Sequence, residues 1–425
     1  MDDFRHPDML IHNVGELVTL SSTESGPRCG RNMGKIAAVK NGMVAVTAGL
    51  IVAAGPEEEV ASRFKPGPKT RRINAEGRLG SPGLVDAHTH LVFAGSRENE
   101  FRLKIEKGLS YGEIENMGGG VLASVRHTRD AGIETLLSQA RAVLRRMMRN
   151  GVTTIEAKSG YALNTQGEIR LLEAMQILNQ EGPVEIVPTL FGAHDIPPEY
   201  ANRPEDFLEL IIKEMIPQVA KRRLARFYDS GVTFPLEQTE RLFSVAKKFG
   251  LVPKVHADEF AHVGGAALAA RCEAISAEHC LHASPEDLKA MQRAGVIAVL
   301  LPAIPIVHRL NIPLDARRFI DAGLAVALGT DFNPSCPVES LSLVIALGCY
   351  SAGMSPAEAL TAATINSAYA IGRGDEIGSM EPGKQADIVI WDVANHLQLC
   401  ANPSGGLAST VIKKGKIVWD NCLSH

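Results

Sequence analysis

The spacing of apolar positions changes character twice along the chain. From residue 9 to about 80, short apolar runs are separated by turn residues. Residues 9–20, 36–40, 43–47 and 50–54 read as strands. Asn41-Gly42 falls between two of these runs and predicts a tight hairpin turn. The tail repeats this pattern: residues 386–393 and 409–420 read as strands, with Lys414-Gly415 at a turn. Two β-rich ends around a different middle predict one small β-domain built from both termini.

The middle alternates strands with helices. Strands are expected at 83–91, 153–158, 185–194, 225–228, 252–259, 274–279, 296–302 and 325–333. Helical spacing fills the gaps at 133–149, 167–180, 235–249 and 284–294. Eight strands separated by helices predict a (β/α)8 TIM-like barrel. A doubly wound open sheet is the competing layout, but no Gly-rich phosphate loop follows the first strand. The expected division is 1–80 and 376–425 for the two parts of a composite β-sandwich domain, with the barrel at 81–375. A length of 425 residues suits one large domain and a smaller one.

Composition narrows the function classes. With 45% hydrophobic and 22% charged residues, the chain has the balance of a soluble globular protein. A net charge of −4 and no long basic run argue against nucleic acid or an acidic membrane surface as partner. No apolar stretch approaches the roughly 20 residues that span a bilayer. The polar, acidic start reads as no secretory signal. The seven cysteines are scattered, odd in number and free of C-x-x-C pairs, which favours reduced thiols and a cytoplasmic location.

The chemistry-bearing residues fall at the C-terminal ends of the expected strands, where barrel active sites lie. The first strand runs into Asp86-Ala-His88-Thr-His90. Residues two apart share a strand face, so the two imidazoles project together and Thr89 points away. The second strand ends at Lys158, the third at His194, the fifth at His256 through Glu259, the sixth at Glu278-His279 and the eighth at Asp331 through Asn333. His88, His90, His256 and Asp331 make a metal set of three neutral imidazoles and one carboxylate. A bound divalent ion of this kind brings a water's pKa from 15.7 to about 7. The expected fourth strand carries no lysine to bridge two metals, which favours one ion.

"PGLVDAHTH" (82–90), "KVHADE" (254–259), "SAEH" (276–279) and "LGTDFNP" (328–334) resemble the amidohydrolase superfamily. "HLVFAGSRENEF" (90–101), "SYGEIENMGGG" (110–120), "EAKSGYAL" (156–163) and "FGAHDIPPEY" (191–200) are similar to its imidazolonepropionase family. The resemblance runs in order from about residue 80 to 385. Two positions depart from it: Ser335-Cys336 follows "DFNP" where Gly and a small hydroxyl residue are usual, and "RFYDSGVTF" replaces a Cys-rich segment.

The resemblance implies hydrolysis of 4-imidazolone-5-propanoate to N-formimino-L-glutamate in histidine breakdown, with one zinc or iron ion, and suggests a homodimer. It places Asp331 as ligand and acceptor of the water's proton, His279 as outer base or oxyanion partner, and Glu259 as a proton shuttle to the ring nitrogen. Arg97 is the candidate for the propionate, because guanidinium matches a carboxylate bidentately. A surface arginine paired with Glu98 or Glu100 is the plain alternative. Tyr161 and His194 would contact the ring or its oxygen, Asn333 the other end of the molecule, and Ser335 and Cys336 the product side. The Gly118–Gly120 run is expected to form a mobile loop over the site. His262, His282 and His308 have no role in this scheme. A deaminase or cyclic-amide hydrolase acting on another ring and a non-catalytic scaffold are the other readings. An uncharged nucleobase gives Arg97 little to bind, and a scaffold would be expected to have lost metal ligands.

Overall fold

The computed structural model describes residues 5–231 and 233–421. Val232, Cys422 and the outermost residues of the two flanking ranges lie outside the described residues. Eight parallel strands follow one another in chain order around the centre: β1 (Leu84–Asp86), β2 (Val152–Lys158), β3 (Glu185–Ala193), β4 (Phe227–Ser230), β5 (Val252–Ala257), β6 (Ser276–His279), β7 (Ile297–Leu300) and β8 (Val326–Leu328). The cores of these strands are buried on both faces, as a helix-wrapped parallel sheet requires. The outer helices show why they pack there. Ile133–Arg149 buries Leu136, Leu137, Ala140, Val143, Leu144 and Met147, one stripe at three- and four-residue spacing. Pro285–Ala294 starts at a Ser284/Asp287 capping box.

The barrel closes between β1 and β8 without a regular ladder. Asp86 accepts from the Thr330 N–H at 3.0 Å and the Thr330 hydroxyl at 2.6 Å. Beyond it the Asp331 N–H donates to the His88 carbonyl at 3.0 Å, and the His90 N–H to the Phe332 carbonyl at 2.8 Å. The strands expected at 83–91 and 325–333 are therefore shorter than read. Their last residues are irregular, with Asp331 at φ +48°.

A second sheet takes strands from both ends. Met9–Val18 pairs antiparallel with Ala38–Thr47. Ile388–Trp391 pairs antiparallel with Leu79–Pro82, joining tail to head just before β1. The sheet curls over a core of Ile11, Val14, Leu17, Val44, Ile388 and Ile412. The turn at Gly49 touches the tail, accepting from the Ala386 N–H at 2.9 Å.

One turn was misplaced by the sequence pattern. Ala38–Thr47 is a single strand running through Asn41-Gly42. Gly42 lies where a Cβ would come within 2.5 Å of Leu17 Cβ, and it pairs with Val14 at the edge of a register shift between Ile11 and Val14 in the partner strand. The glycine thus marks close approach at a bulge. The hairpin turn is Ala48-Gly49, both at positive φ, as a tight two-residue turn demands.

Candidate active site

His88 and His90 leave β1 on one side and Thr89 leaves on the other, its hydroxyl donating to the Glu156 carbonyl at 2.7 Å. His88 Nε2 and His90 Nε2 lie 3.3 Å and 3.5 Å from Asp331 Oδ1. These three residues bring donor atoms within 4.8 Å of one another, and so do His88, His256 and His279. His88 belongs to both sets, and its ring centroid is 4.7 Å from that of His256. The structure therefore brings His88, His90 and Asp331 together, and sets His256 and His279 beside them through the shared His88. His88 Nε2 and Asp331 Oδ1 are buried without a hydrogen-bond partner. Buried, unpartnered donors of this kind fit a cation. Burial alone would raise the Asp331 carboxyl, but His88 and His90 hold it well below the usual carboxylate range.

Beneath the donors lies a layer of charge. His88 Nδ1 is 2.7 Å from Glu278, and His256 Nδ1 is 3.1 Å from Asp229. Burial and Lys158 push the His88 pKa down, yet Glu278 and Asp331 prevail and raise it to about 9. The sequence reading gave Glu278 and Asp229 no role. A signal for them existed: Glu156 and Lys158, Lys254 and His256, and Ser276 and Glu278 recur at period two inside strands that should be apolar.

The donors open into a cavity of about 1060 Å³. Arg97 lines it and is buried, with Nη2 2.6 Å from Glu100. Both readings of Arg97 thus meet: it is paired with Glu100, and it faces the cavity. Its guanidinium also lies 5.5 Å from the Tyr111 ring, and its Nε has no partner. Glu100 is fixed in turn by the Gly120 N–H at 3.0 Å. The glycine run is therefore the link between two helices that anchors Glu100.

Tyr161 and His194 also line the cavity. His194 Nδ1 lies 3.0 Å from the Gly160 carbonyl, which fixes Nδ1 as the donor and leaves Nε2 to accept. Burial lowers its pKa to about 3, so the ring is neutral. Glu259 is half-buried, 3.7 Å from His279 Nε2. Burial and the charge of Asp331 push it up to about 8.

Asn333 and Ser335 reach the cavity wall, but the Asn333 side chain is spent on its own loop. Its oxygen accepts from the Ser335 and Cys336 N–H groups at 2.8 Å and 3.0 Å. Cys336 is placed otherwise than expected. Its thiol is fully buried against the Thr330 carbonyl, outside the cavity wall, because the turn around Asn333 faces it inward. Tyr111, His308 and Arg309 line the cavity and were missed. They come from segments whose sequence carries no strand-end signal.

The amidohydrolase family matches residues 80–418. The imidazolonepropionase of Geobacillus kaustophilus (strain HTA426) is 45% identical over 416 residues, covering 96% of this chain and 97% of that one. The imidazolonepropionase of Symbiobacterium thermophilum is 45% identical over 423 residues, covering 98% of each. The chain belongs to the amidohydrolase family. Among solved structures, E. coli guanine deaminase superposes with a TM-score of 0.73 at 16% identity, covering 97% of this chain and 99% of that one. An adenosine deaminase from Xanthomonas campestris with bound zinc gives 0.71 at 19% identity, covering 98% and 94%. At such identities these two speak for the amidohydrolase fold alone.

Proposed function

We propose that this amidohydrolase is an imidazolonepropionase. It opens the cyclic amide of 4-imidazolone-5-propanoate to N-formimino-L-glutamate in histidine breakdown. The observation that carries the reading is one cavity shared by a His/Asp donor set and a buried arginine, in a chain 45% identical over nearly its whole length to enzymes of that name. The ion is zinc or iron, held by His88, His90, His256 and Asp331; imidazole and carboxylate suit both. When bound, it lowers the pKa of a water and polarises the carbonyl.

The chain's own residues do the rest. Asp331, anionic among imidazoles, takes the proton of the attacking water. Glu259 holds a proton in the metal-free site, and a nearby ion draws its pKa toward neutrality, where a shuttle works best. It delivers that proton to the departing ring nitrogen. His279, kept neutral by burial, stands beside it as oxyanion partner. Arg97 holds the propionate with the part of its fork that Glu100 leaves free. His194 accepts a ring N–H through Nε2, and Tyr161 packs against the ring. Asn333 and Ser335 frame the product side, with Cys336 setting the loop from below.

The reading also assigns the β-domain to 1–80 and 376–425 and the barrel to 81–375. It places the enzyme in the cytoplasm as a homodimer acting on a small molecule, with no nucleic-acid or membrane partner. Among the described residues no helix is long and apolar enough to cross a membrane. The deciding experiment follows freshly made imidazolone propionate by ultraviolet absorbance with purified, metal-quantified protein. Turnover proportional to bound metal is expected. Turnover of guanine without turnover of the imidazolone would move the assignment to a deaminase.

A further inference from the structure

Lys158 stands at the centre of the charged layer, and the mechanism above does not use it. Its side chain is fully buried at the end of β2. Its Nζ lies 2.8 Å from Glu156 Oε1, 2.8 Å from Asp229 Oδ2 and 2.7 Å from Glu278 Oε2. Two of these oxygens are shared with the metal-binding histidines. Asp229 Oδ2 is the atom 3.1 Å from His256 Nδ1, and Glu278 Oε2 the atom 2.7 Å from His88 Nδ1. One ammonium thus ties together both carboxylates that face the back of the ligand rings.

Asp229, His256 and Glu278 also bring donor atoms within 4.8 Å of one another, the spacing of a pocket for a second cation. Lys158 already contributes a positive charge to two of its three members. Lys254 balances the other side of Glu278, its Nζ 3.0 Å from Oε1 and 2.7 Å from the Ser276 hydroxyl. A buried ion cluster is a poor device for stability, because desolvation offsets most of the Coulombic gain. Orienting metal ligands is a better account: a carboxylate on Nδ1 fixes the tautomer that leaves Nε2 free for an ion.

We propose that Lys158 is a positioning residue, a built-in cation that fills the place of a second metal between Asp229, His256 and Glu278 and holds the two carboxylates that aim His88 and His256. The inference rests on the metal-hydrolase reading.

The test uses the full-length protein and zinc alone as probe. Wild type is stripped with a chelator and titrated with Zn²⁺, and bound metal is counted. One tight equivalent is expected even in excess zinc. Lys158→Met is expected to bind the ion about 10- to 100-fold more weakly in competition with a chelating dye. Its Co²⁺ form should show altered visible bands, since ligand orientation has changed. Lys254→Met is the control for loss of a buried ammonium beside Glu278. It touches neither oxygen shared with a histidine, so its zinc affinity should fall far less. Zinc affinity in Lys158→Met within twofold of wild type overturns the proposal, as does equal loss in both variants. Two tight zinc equivalents in wild type overturn it without any variant, so poor folding of Lys158→Met leaves it open to refutation. A wild type that takes up no metal removes the hydrolase reading itself, and this inference with it.

Discussion

Single residues in this site are set by their neighbours' charges. Glu259, pushed up to about 8 by burial and Asp331, is the proton carrier in the proposed mechanism. Glu259→Gln keeps the shape and loses the shuttle. It should cut kcat by about 10²- to 10⁴-fold with metal content unchanged; loss of metal would make it structural. Arg97→Ala should lower kcat/KM by roughly 10- to 100-fold, since a hydrogen bond to a charged group is worth about 1.5–3 kcal/mol. An imidazolone without the propionate is the control. If that ring loses as much as the full substrate, Arg97 does not read the tail. His88 gives a pH effect. Its pKa in the metal-free fold is raised to about 9, above the ordinary 6.5. The proton therefore stabilises the metal-free fold fully below about 6.5, and this stabilisation is lost as pH rises through 9. An ion must displace that proton, so affinity falls as pH drops below 9. Calorimetry in buffers of different ionisation heat should find about one proton released from His88 per metal at pH 7, falling away by pH 10. No release at pH 7 would contradict this. The proposed ligands could be read from the sequence because His-X-His needs only strand alternation. The carboxylates behind them could not, because their meaning depends on which strands are neighbours.

At the scale of elements, the site is made where regular structure stops. Strands β1 and β8 end at Asp86 and Leu328, and the following residues cross-bond through Thr330, Asp331 and Phe332. Asp331, past the end of β8, and His279, the last residue of β6, both hold left-handed backbone, at φ +48° and +63°, a conformation that costs energy and recurs at functional sites. Alternation carries a strand reading past its true end, so 83–91 and 325–333 were read too long, while the number and order of strands came through. Gly329 shows how closely the two strand ends approach. A Cβ at this position would fall 2.8 Å from His88 Cβ and 3.1 Å from its backbone nitrogen. Gly329→Ala must therefore push β8 away from His88, a proposed metal ligand. It should cost about 1–3 kcal/mol in stability and speed metal loss during dialysis against a chelator. Unchanged metal retention would show that the seam tolerates the shift. The Asn41-Gly42 error has a related cause. A glycine between apolar runs signals either a turn or a close approach, and only the partner strand, here Leu17, decides which.

At the scale of the whole molecule, the question is how the curled sheet and the barrel hold each other. Trp391 sits at the junction. It is fully buried on the strand that pairs with Leu79–Pro82, and its indole N–H donates to the Ser81 hydroxyl at 2.7 Å. Its ring lies on Gly151, the residue before β2, so closely that a Cβ there would come within 2.4 Å of it. The side chain therefore touches the sheet through Ser81 and the barrel through Gly151. Its contacts belong to the large barrel core and not to the core under the sheet. Trp391→Ala should cost about 3–5 kcal/mol, the usual range for emptying a buried aromatic site. Trp391→Phe should cost less, since it keeps most of the ring and loses the bond to Ser81. The sequence offers a convenient reporter, because its only other tryptophan, Trp419, lies on the strand Lys416–Asp420. In either variant Trp419 fluorescence follows the sheet during urea unfolding, while release of bound metal follows the barrel. If Trp391 couples the two, both signals should move together to lower urea in Trp391→Ala. A fluorescence shift with metal release unmoved would mean that the sheet and the barrel are stable independently. The pairing of Ile388–Trp391 with Leu79–Pro82 would then be their main link, and the indole only a filler.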